Sequence, residues 1–97
     1  MPRVIWSPAA LDDLDAIDTY LLERDAPPSN VFRAIERVTD RLLDYPRLGR
    51  ALREPFRVMG VRGTDYLLIY RLHDEMVEIV RIRHGREDWL GQVEAEL

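Results

Sequence analysis

The sequence predicts a small α+β domain in which a helical hairpin packs on one face of an antiparallel sheet, in the order β-α-α-β-β-β. Two observations carry this prediction. Apolar residues recur at three- and four-residue spacing in the first half of the chain, and β-branched and aromatic runs separated by short turns fill most of the second half. At 97 residues the chain has the length of one domain, 1–97.

The first half of the chain indicates a strand followed by two helices. Residues 3–6, RVIW, have the composition of a short strand. Ser7-Pro8 supplies an N-cap serine and a proline at the first helical position, which predicts a helix over 8–23. A proline pair ends it, and a second helix over 29–44 is expected to run antiparallel to the first. The predicted apolar face of the first helix consists of Leu11, Leu14, Ile17 and Leu21.

Two aspartates follow the start of the first helix. Asp12 and Asp13 lie near its first turns, where the positive end of the helix dipole favours negative charge. We therefore expect these two carboxylates to interact favourably with the helix dipole.

The second half of the chain indicates a loop and then three strands. Residues 47–55 are expected to form the loop. The three strands, 56–61, 66–72 and 76–83, are separated by short turns, which predicts an antiparallel meander. Residues 89–97 have apolar residues at helical spacing, interrupted by a glycine, and are assigned to a short C-terminal helix or tail.

The charges of the chain are segregated, and all 14 basic residues are arginine. Residues 1–45 carry five arginines against nine acids, residues 46–86 carry nine against five, and residues 87–97 carry four acids and no base. A basic central block between acidic ends suits an anionic surface or an acidic partner.

Several classes of protein are excluded by what the sequence lacks. Without cysteine there is no disulfide framework, thiolate metal site or cysteine nucleophile. No apolar run is long enough to span a membrane, and the apolar stretch 4–6 is too short for a signal peptide. We expect a cytoplasmic protein that needs no metal and no cofactor.

Four segments in this order resemble the RelE/ParE superfamily of toxins: WSPAALDDLDAI at 6–17, YPRLGR at 45–50, YLLIYRL at 66–72 and VRIRHGRED at 80–88. The resemblance covers about residues 3–89 and is strongest to the ParE branch, whose last strand typically ends in a His-Gly-Arg turn. It implies the toxin half of a type II toxin–antitoxin pair, of the plasmid-stabilisation kind, neutralised by a ParD-like antitoxin. It also implies DNA gyrase as the target of the ParE branch, whereas the RelE branch cleaves messenger RNA on the ribosome.

The segment RIRHGREDW, residues 81–89, decides between these two activities. RNA cleavage without a metal needs a base, an acid and cations near one phosphate, and arginine supplies only the cations. His84 is the only serious acid–base candidate, because His73 is expected in a solvated turn. Tyr66 and Tyr70 are assigned to packing, and Glu54 to a loop.

Strand alternation separates the histidine from its arginine neighbours. In a regular strand Arg81 and Arg83 share a face with Val77 and Ile79, whereas His84 lies on the other face unless the strand bends before it. We therefore expect His84 to close the core at the end of the strand, and assign no catalytic residue. If the chain is a nuclease, the catalytic residues are His84, Arg81 and Arg83.

A positive patch is the stronger candidate for binding. The residues expected to contact the antitoxin or the target are Arg71, Arg81, Arg83, Arg86 and Trp89. The arginines could instead pair with Glu78, Asp65 or the acidic tail at Glu87 and Asp88. The helices cover only one face of the sheet, so residues 89–97 or the antitoxin would cover the other.

The favoured function is therefore a toxin that inhibits gyrase by binding, without chemistry of its own. The alternatives are a RelE-like ribosome-dependent endoribonuclease, and a degenerate toxin that retains only antitoxin binding. The sequence has no helix-turn-helix pattern and its first helix is acidic, so sequence-specific DNA binding by this chain alone is not expected.

Overall fold

The computed structural model describes residues 3–85 and 90–91. Its elements are β1 (Arg3–Trp6), α1 (Pro8–Glu23), α2 (Pro28–Asp44), β2 (Arg50–Ala51), β3 (Phe56–Gly60), β4 (Tyr66–His73) and β5 (Met76–His84). The strands form one sheet in the order β1-β5-β4-β3-β2. The predicted α+β class is confirmed, and both helices begin and end within one residue of their predicted bounds.

The sheet is mixed, where the sequence predicted an antiparallel one. β3, β4 and β5 form the expected antiparallel meander. β1 pairs in parallel with β5, from Arg3 opposite Met76 to Trp6 opposite Ile79. A parallel pair needs a long crossover connection, and the helices supply it here.

A short edge strand lies inside the segment that was predicted to be a loop. Arg50 and Ala51 form β2, which pairs antiparallel with β3 opposite Val58 and Arg57. Two residues are too few for an alternating pattern, so this strand could not be predicted from the sequence.

The N-terminus of α1 is fixed to the sheet by Ser7. Its Oγ accepts a hydrogen bond from the Ala10 N–H at 3.0 Å and donates one to the Val80 carbonyl at 2.7 Å. Ala10 is fully buried, whereas Leu11 is 49% exposed. The assignment of Leu11 to the apolar face was wrong, because the small Ala10 takes the inward position and the next residue points about 100° away around the helix.

The main core lies between the two helices and one face of the sheet. From the sheet it contains Leu68, Tyr70, Val77, Ile79 and Ile82, all buried. The other face has a small second core, in which Leu52 and Phe56 pack against the buried Val58 and Ile69. The segment around β2 thus covers part of the face that the sequence left open; any contribution from residues 92–97 lies outside the described residues.

A β-bulge in β5 changes which side chains share a face. Arg81 lies opposite Ile69 and Ile79 lies opposite Tyr70, so Val80 is the extra residue between these pairs. Regular alternation would place residues 79 and 82 on opposite faces, but Ile79 and Ile82 both enter the main core.

The bulge overturns the predicted grouping of the arginines. Val77 and Ile79 face the helices, whereas Arg81 and Arg83 lie opposite Ile69 and Leu67 on the other face. The arginines and His84 still leave β5 on opposite sides, as the sequence predicted, because all three follow the bulge.

Tyr70 fastens the loop after α2 to the centre of the sheet. Its buried hydroxyl donates a hydrogen bond to the Pro46 carbonyl at 2.8 Å and accepts one from the Gly49 N–H at 2.9 Å. Arg57 Nη1 donates to the Gly49 carbonyl at 2.8 Å. Burial raises the pKa of the Tyr70 phenol above its ordinary value, although the Gly49 hydrogen bond and the Arg57 charge act in the other direction.

This raised pKa predicts a loss of stability in alkali. Above the ordinary value of 10.0 the unfolded chain releases the Tyr70 proton while the folded chain keeps it. The stabilisation is therefore complete below that pH and decreases as the pH rises through the interval up to the folded-state pKa. Denaturant unfolding between about pH 9 and about pH 11 measures the decline, and Tyr70→Phe should flatten it. Equal declines in the two proteins would contradict the assignment.

Candidate functional site

Two depressions lie at opposite ends of the β4–β5 hairpin. The first, here called the His84 cleft, has a volume of about 400 Å³ and lies between α1 and the end of β5. Its lining includes Asp13, Ile17, Tyr20, Tyr66, Arg83 and His84. The second, here called the hairpin groove, has a volume of about 700 Å³ and lies between the end of α2 and the β4–β5 turn.

His84 is the last residue of β5 and is partly buried. It lies opposite Tyr66, and the two rings meet edge to face with centroids 5.2 Å apart. Its Nε2 lies 3.9 Å from the Asp65 carboxylate, which is beyond hydrogen-bond distance. The next N–H, of Gly85, donates to the Asp65 carbonyl. These contacts are those of a strand-end residue that packs locally, as the sequence predicted.

Asp13 occupies the edge of β5 where β1 has ended. Among the described residues β1 pairs with β5 only as far as Ile79, and the Asp13 carboxylate accepts the Ile82 N–H at 2.9 Å. The same carboxylate accepts two hydrogen bonds from Arg81, at 2.9 Å to Nε and 3.1 Å to Nη2. Arg83 Nη1 lies 3.7 Å away. Asp13 therefore holds β5 to α1.

This cluster was missed by sequence reasoning, which placed Asp13 at the helix dipole. The side chains of Asp13, Arg81 and Arg83 are only 15%, 23% and 12% exposed. One carboxylate faces two guanidinium groups in a largely dehydrated setting, where an ion pair is stronger than at the surface. The only sequence signal was the acidic position on α1, which does not identify a partner 68 residues away.

The other candidate residues are more dispersed. Arg71 shares a face with Arg81 but forms an ion pair with Glu78, one of the alternatives that the sequence left open. His73 is exposed, 3.8 Å from the Asp74 carboxylate. Arg86 and Trp89, which were predicted to bind a partner, lie outside the described residues, as do Glu87 and Asp88. Of the predicted tail helix, the structure describes Leu90 and Gly91, which are helical and exposed.

The described part of the chain offers no cluster of three or more histidine, cysteine or acidic side chains suited to hold a metal ion. Among its helices, none has the length and apolar character needed to cross a membrane.

A family model described as the ParE toxin of the type II toxin–antitoxin system parDE matches residues 4–89. The chain belongs to this toxin family. The match spans both helices, the sheet except Arg3, and the His84 strand end, so both depressions lie within the matched residues.

Curated relatives bear the names of both branches of the superfamily. Toxin RelE2 of Caulobacter vibrioides is 33% identical over 86 residues, covering 88% of this chain and 97% of that protein. Toxin ParE2 of Mycobacterium tuberculosis is 30% identical over 87 residues, covering 86% of this chain and 82% of that protein. Overall similarity therefore does not choose between the two activities.

Solved structures share the fold of this ParE-family toxin. The isolated E. coli RelE toxin superposes with a TM-score of 0.63 at 17% identity, covering 97% of each chain. The chromosomal ParDE system of P. aeruginosa gives 0.60 at 20% identity, covering 87% of this chain and 96% of that one. A mutant RelE in complex with a peptide of the antitoxin RelBc gives 0.62 at 18% identity, covering 95% and 90%. Homologous toxins thus form complexes with antitoxins.

Proposed function

We propose that this toxin inhibits DNA gyrase in the cytoplasm by binding it, without catalysing a reaction, and that a ParD-like antitoxin neutralises it. The observation that carries the proposal is the engagement of Arg81 and Arg83 by Asp13. A nuclease requires its cations at the scissile phosphate, where negative charge develops. Here the Nε and Nη2 donors of Arg81 are directed at a carboxylate of the same chain.

The position of His84 supports the same proposal. General acid–base catalysis requires a group within about 3 Å of the proton it transfers, with cations near the same phosphate. His84 leaves β5 on the side opposite to Arg81 and packs against the Tyr66 ring. The His84 imidazole and the Arg81 guanidinium therefore make separate contacts, on opposite sides of β5.

The test is a gyrase supercoiling assay in which purified toxin is titrated with and without its antitoxin. We expect inhibition that the antitoxin relieves. His84→Ala should keep its potency within about twofold, because the histidine makes no chemical contribution. Failure of folded, antitoxin-competent toxin to inhibit gyrase would refute the proposal.

A second candidate is ribosome-dependent cleavage of messenger RNA. It is favoured by the meeting of His84, Tyr66 and Arg83 in one cleft of about 400 Å³. A translating extract tests it: cleavage that is lost in His84→Gln would establish the enzyme. His84→Gln is a cleaner variant than Arg81→Ala, which also removes a partner of Asp13. If folded toxin shows neither activity and cells grow when its expression is induced, the third alternative is favoured, a degenerate toxin that retains only antitoxin binding.

A further inference from the structure

Three hydrogen-bond donors of β5 converge on the Asp13 carboxylate. Arg81 donates from Nε at 2.9 Å and from Nη2 at 3.1 Å, and the Ile82 N–H donates at 2.9 Å. Arg83 Nη1 adds a second positive charge 3.7 Å away. A guanidinium fork recognises phosphate as well as carboxylate, because both present paired, negatively charged oxygens. These groups of Arg81, Ile82 and Arg83, here called the oxyanion cradle, are therefore chemically suited to a phosphate group.

The oxyanion cradle belongs to one strand, whereas its acceptor in this structure comes from a helix. Arg81, Ile82 and Arg83 are consecutive residues of β5, and each pairs with a residue of β4. Asp13 lies on α1, 68 residues away from Arg81 in the chain. The pairing with β4 holds the backbone of the cradle without any contribution from Asp13. Another oxyanion could therefore take the place of the carboxylate without rearranging the sheet.

The His84 cleft opens beside the oxyanion cradle. Asp13 and Arg83 line this space of about 400 Å³ together with Tyr20, Tyr66 and His84. Tyr20 is 46% exposed, so the cleft is accessible to solvent. Among the described lining residues Asp13 contributes the only carboxylate, against the guanidinium of Arg83. The lining would therefore attract anions if the Asp13 charge were removed.

We propose that the oxyanion cradle is a phosphate-binding site in which Asp13 acts as an internal ligand. The Asp13 carboxylate occupies the position of the phosphate oxygens and excludes phosphate groups from the His84 cleft. Asp13 is thus a specificity-determining residue, which keeps Arg81 and Arg83 from binding free phosphate or the phosphodiesters of nucleic acid. The site does not depend on gyrase as the target of this toxin, because its donors and its internal ligand belong to this chain.

Asp13→Ala tests the site with inorganic phosphate as the probe. The substitution vacates the position of the carboxylate and leaves the donors in place, so phosphate should stabilise the variant by binding its folded state. The melting temperature is measured against phosphate concentration at constant ionic strength, and its rise gives the dissociation constant. We expect the affinity for phosphate to be at least about tenfold higher than in the unmodified toxin, the effect of about one charge-assisted hydrogen bond.

Asp12→Ala is the matched control, because Asp12 is the adjacent aspartate of α1, is exposed and carries the same charge. It should respond to phosphate like the unmodified toxin, which separates the site from the general stabilising effect of phosphate on folded proteins. Adding Arg81→Ala to Asp13→Ala should remove the gain in affinity, since it deletes the guanidinium fork.

Asp13→Asn keeps the test decisive if Asp13→Ala is partly unfolded. Asparagine retains the size of the side chain and an acceptor for the Ile82 N–H, but it loses the negative charge. Phosphate-dependent recovery of the folded state in either variant would support the site, because an anion that binds only the folded chain shifts the unfolding equilibrium.

A second probe distinguishes the source of the phosphate group. A fluorescently labelled single-stranded RNA is titrated with each variant, and its anisotropy reports binding. Tighter binding of both probes by Asp13→Ala would show that the site admits phosphodiesters, whereas a gain with inorganic phosphate alone would restrict it to free phosphate. Equal phosphate affinities of Asp13→Ala and Asp12→Ala, or a gain that persists without Arg81, would overturn the proposal.

Discussion

Replacing Asp13 by alanine is expected to lower the free energy of unfolding by about 3–5 kcal/mol, the range for breaking a buried ion pair by removing one partner. The substitution removes the acceptor of the Ile82 N–H and two hydrogen bonds from Arg81. It also leaves Arg83 without the carboxylate that lies 3.7 Å from it. Both guanidinium groups remain largely buried and lose compensating charge.

Denaturant unfolding of Asp13→Ala beside Asp12→Ala measures this effect. Asp12 is the adjacent aspartate of α1 and is exposed, so its removal should cost within about 0.5 kcal/mol. A cost for Asp13→Ala no larger than about 1 kcal/mol would mean that the cluster behaves like a surface ion pair. Coupling in a cycle with Arg81→Ala would assign the loss to their direct contact.

The helices of this toxin were predictable because their signals are local. Ser7 and Pro8 mark the start of α1 by cap chemistry, and the structure shows that cap in place. The apolar spacing in α2 likewise predicts a buried face, which includes Ile35, Val38 and Leu42. Each signal lies within a few residues of the element it describes.

The sheet was less predictable because pairing is non-local. The residues RVIW carry no signal that predicts parallel pairing of β1 with β5, which lies some seventy residues later in the chain. The bulge at Val80 also could not be predicted, since the pattern of residues 76–83 fits an unbroken strand. That single extra residue moved Arg81 and Arg83 away from the face assigned to them by alternation.

The positions of the candidate residues around β5 could be only partly inferred from the sequence. The segment around His84 was identified from residue chemistry, and the alternative pairing of Arg71 with Glu78 was foreseen from charge. The role of Asp13 was not, because an aspartate in the first turns of a helix already has an ordinary explanation. Contacts between α1 and β5 require the fold to be known.

Gly49 lies in the YPRLGR segment, and its replacement by alanine is expected to cause the second large loss of stability. A Cβ added to Gly49 would lie 2.5 Å from the Tyr70 hydroxyl oxygen and 2.8 Å from the Val58 carbonyl oxygen. Tyr70 is fully buried in the main core, so its ring has little room to move. We expect Gly49→Ala to lower the free energy of unfolding by about 2–4 kcal/mol through overpacking and the lost hydrogen bond.

Gly60→Ala is the matched control, because a Cβ at Gly60 would meet nothing within 4 Å. It should change stability by about 0.5 kcal/mol or less. Tyr70→Phe alone should cost about 1–3 kcal/mol, since it leaves the Gly49 N–H and the Pro46 carbonyl without their partner. Thermal or denaturant unfolding of the single variants measures these costs.

The double variant Gly49→Ala and Tyr70→Phe tests whether the two residues form one unit. Removing the hydroxyl removes the closest clash, and both single substitutions disrupt the same hydrogen bond, so their costs should overlap by about 1–2 kcal/mol. Strict additivity would show that Gly49 is required for another reason, such as its approach to the Tyr70 ring carbon Cε1 at 2.6 Å or to the Val58 carbonyl oxygen at 2.8 Å, both of which remain in Tyr70→Phe. Overlap would show that this glycine is needed because the Tyr70 hydroxyl occupies the space of a side chain, and that the loop carrying Leu48 is anchored through it.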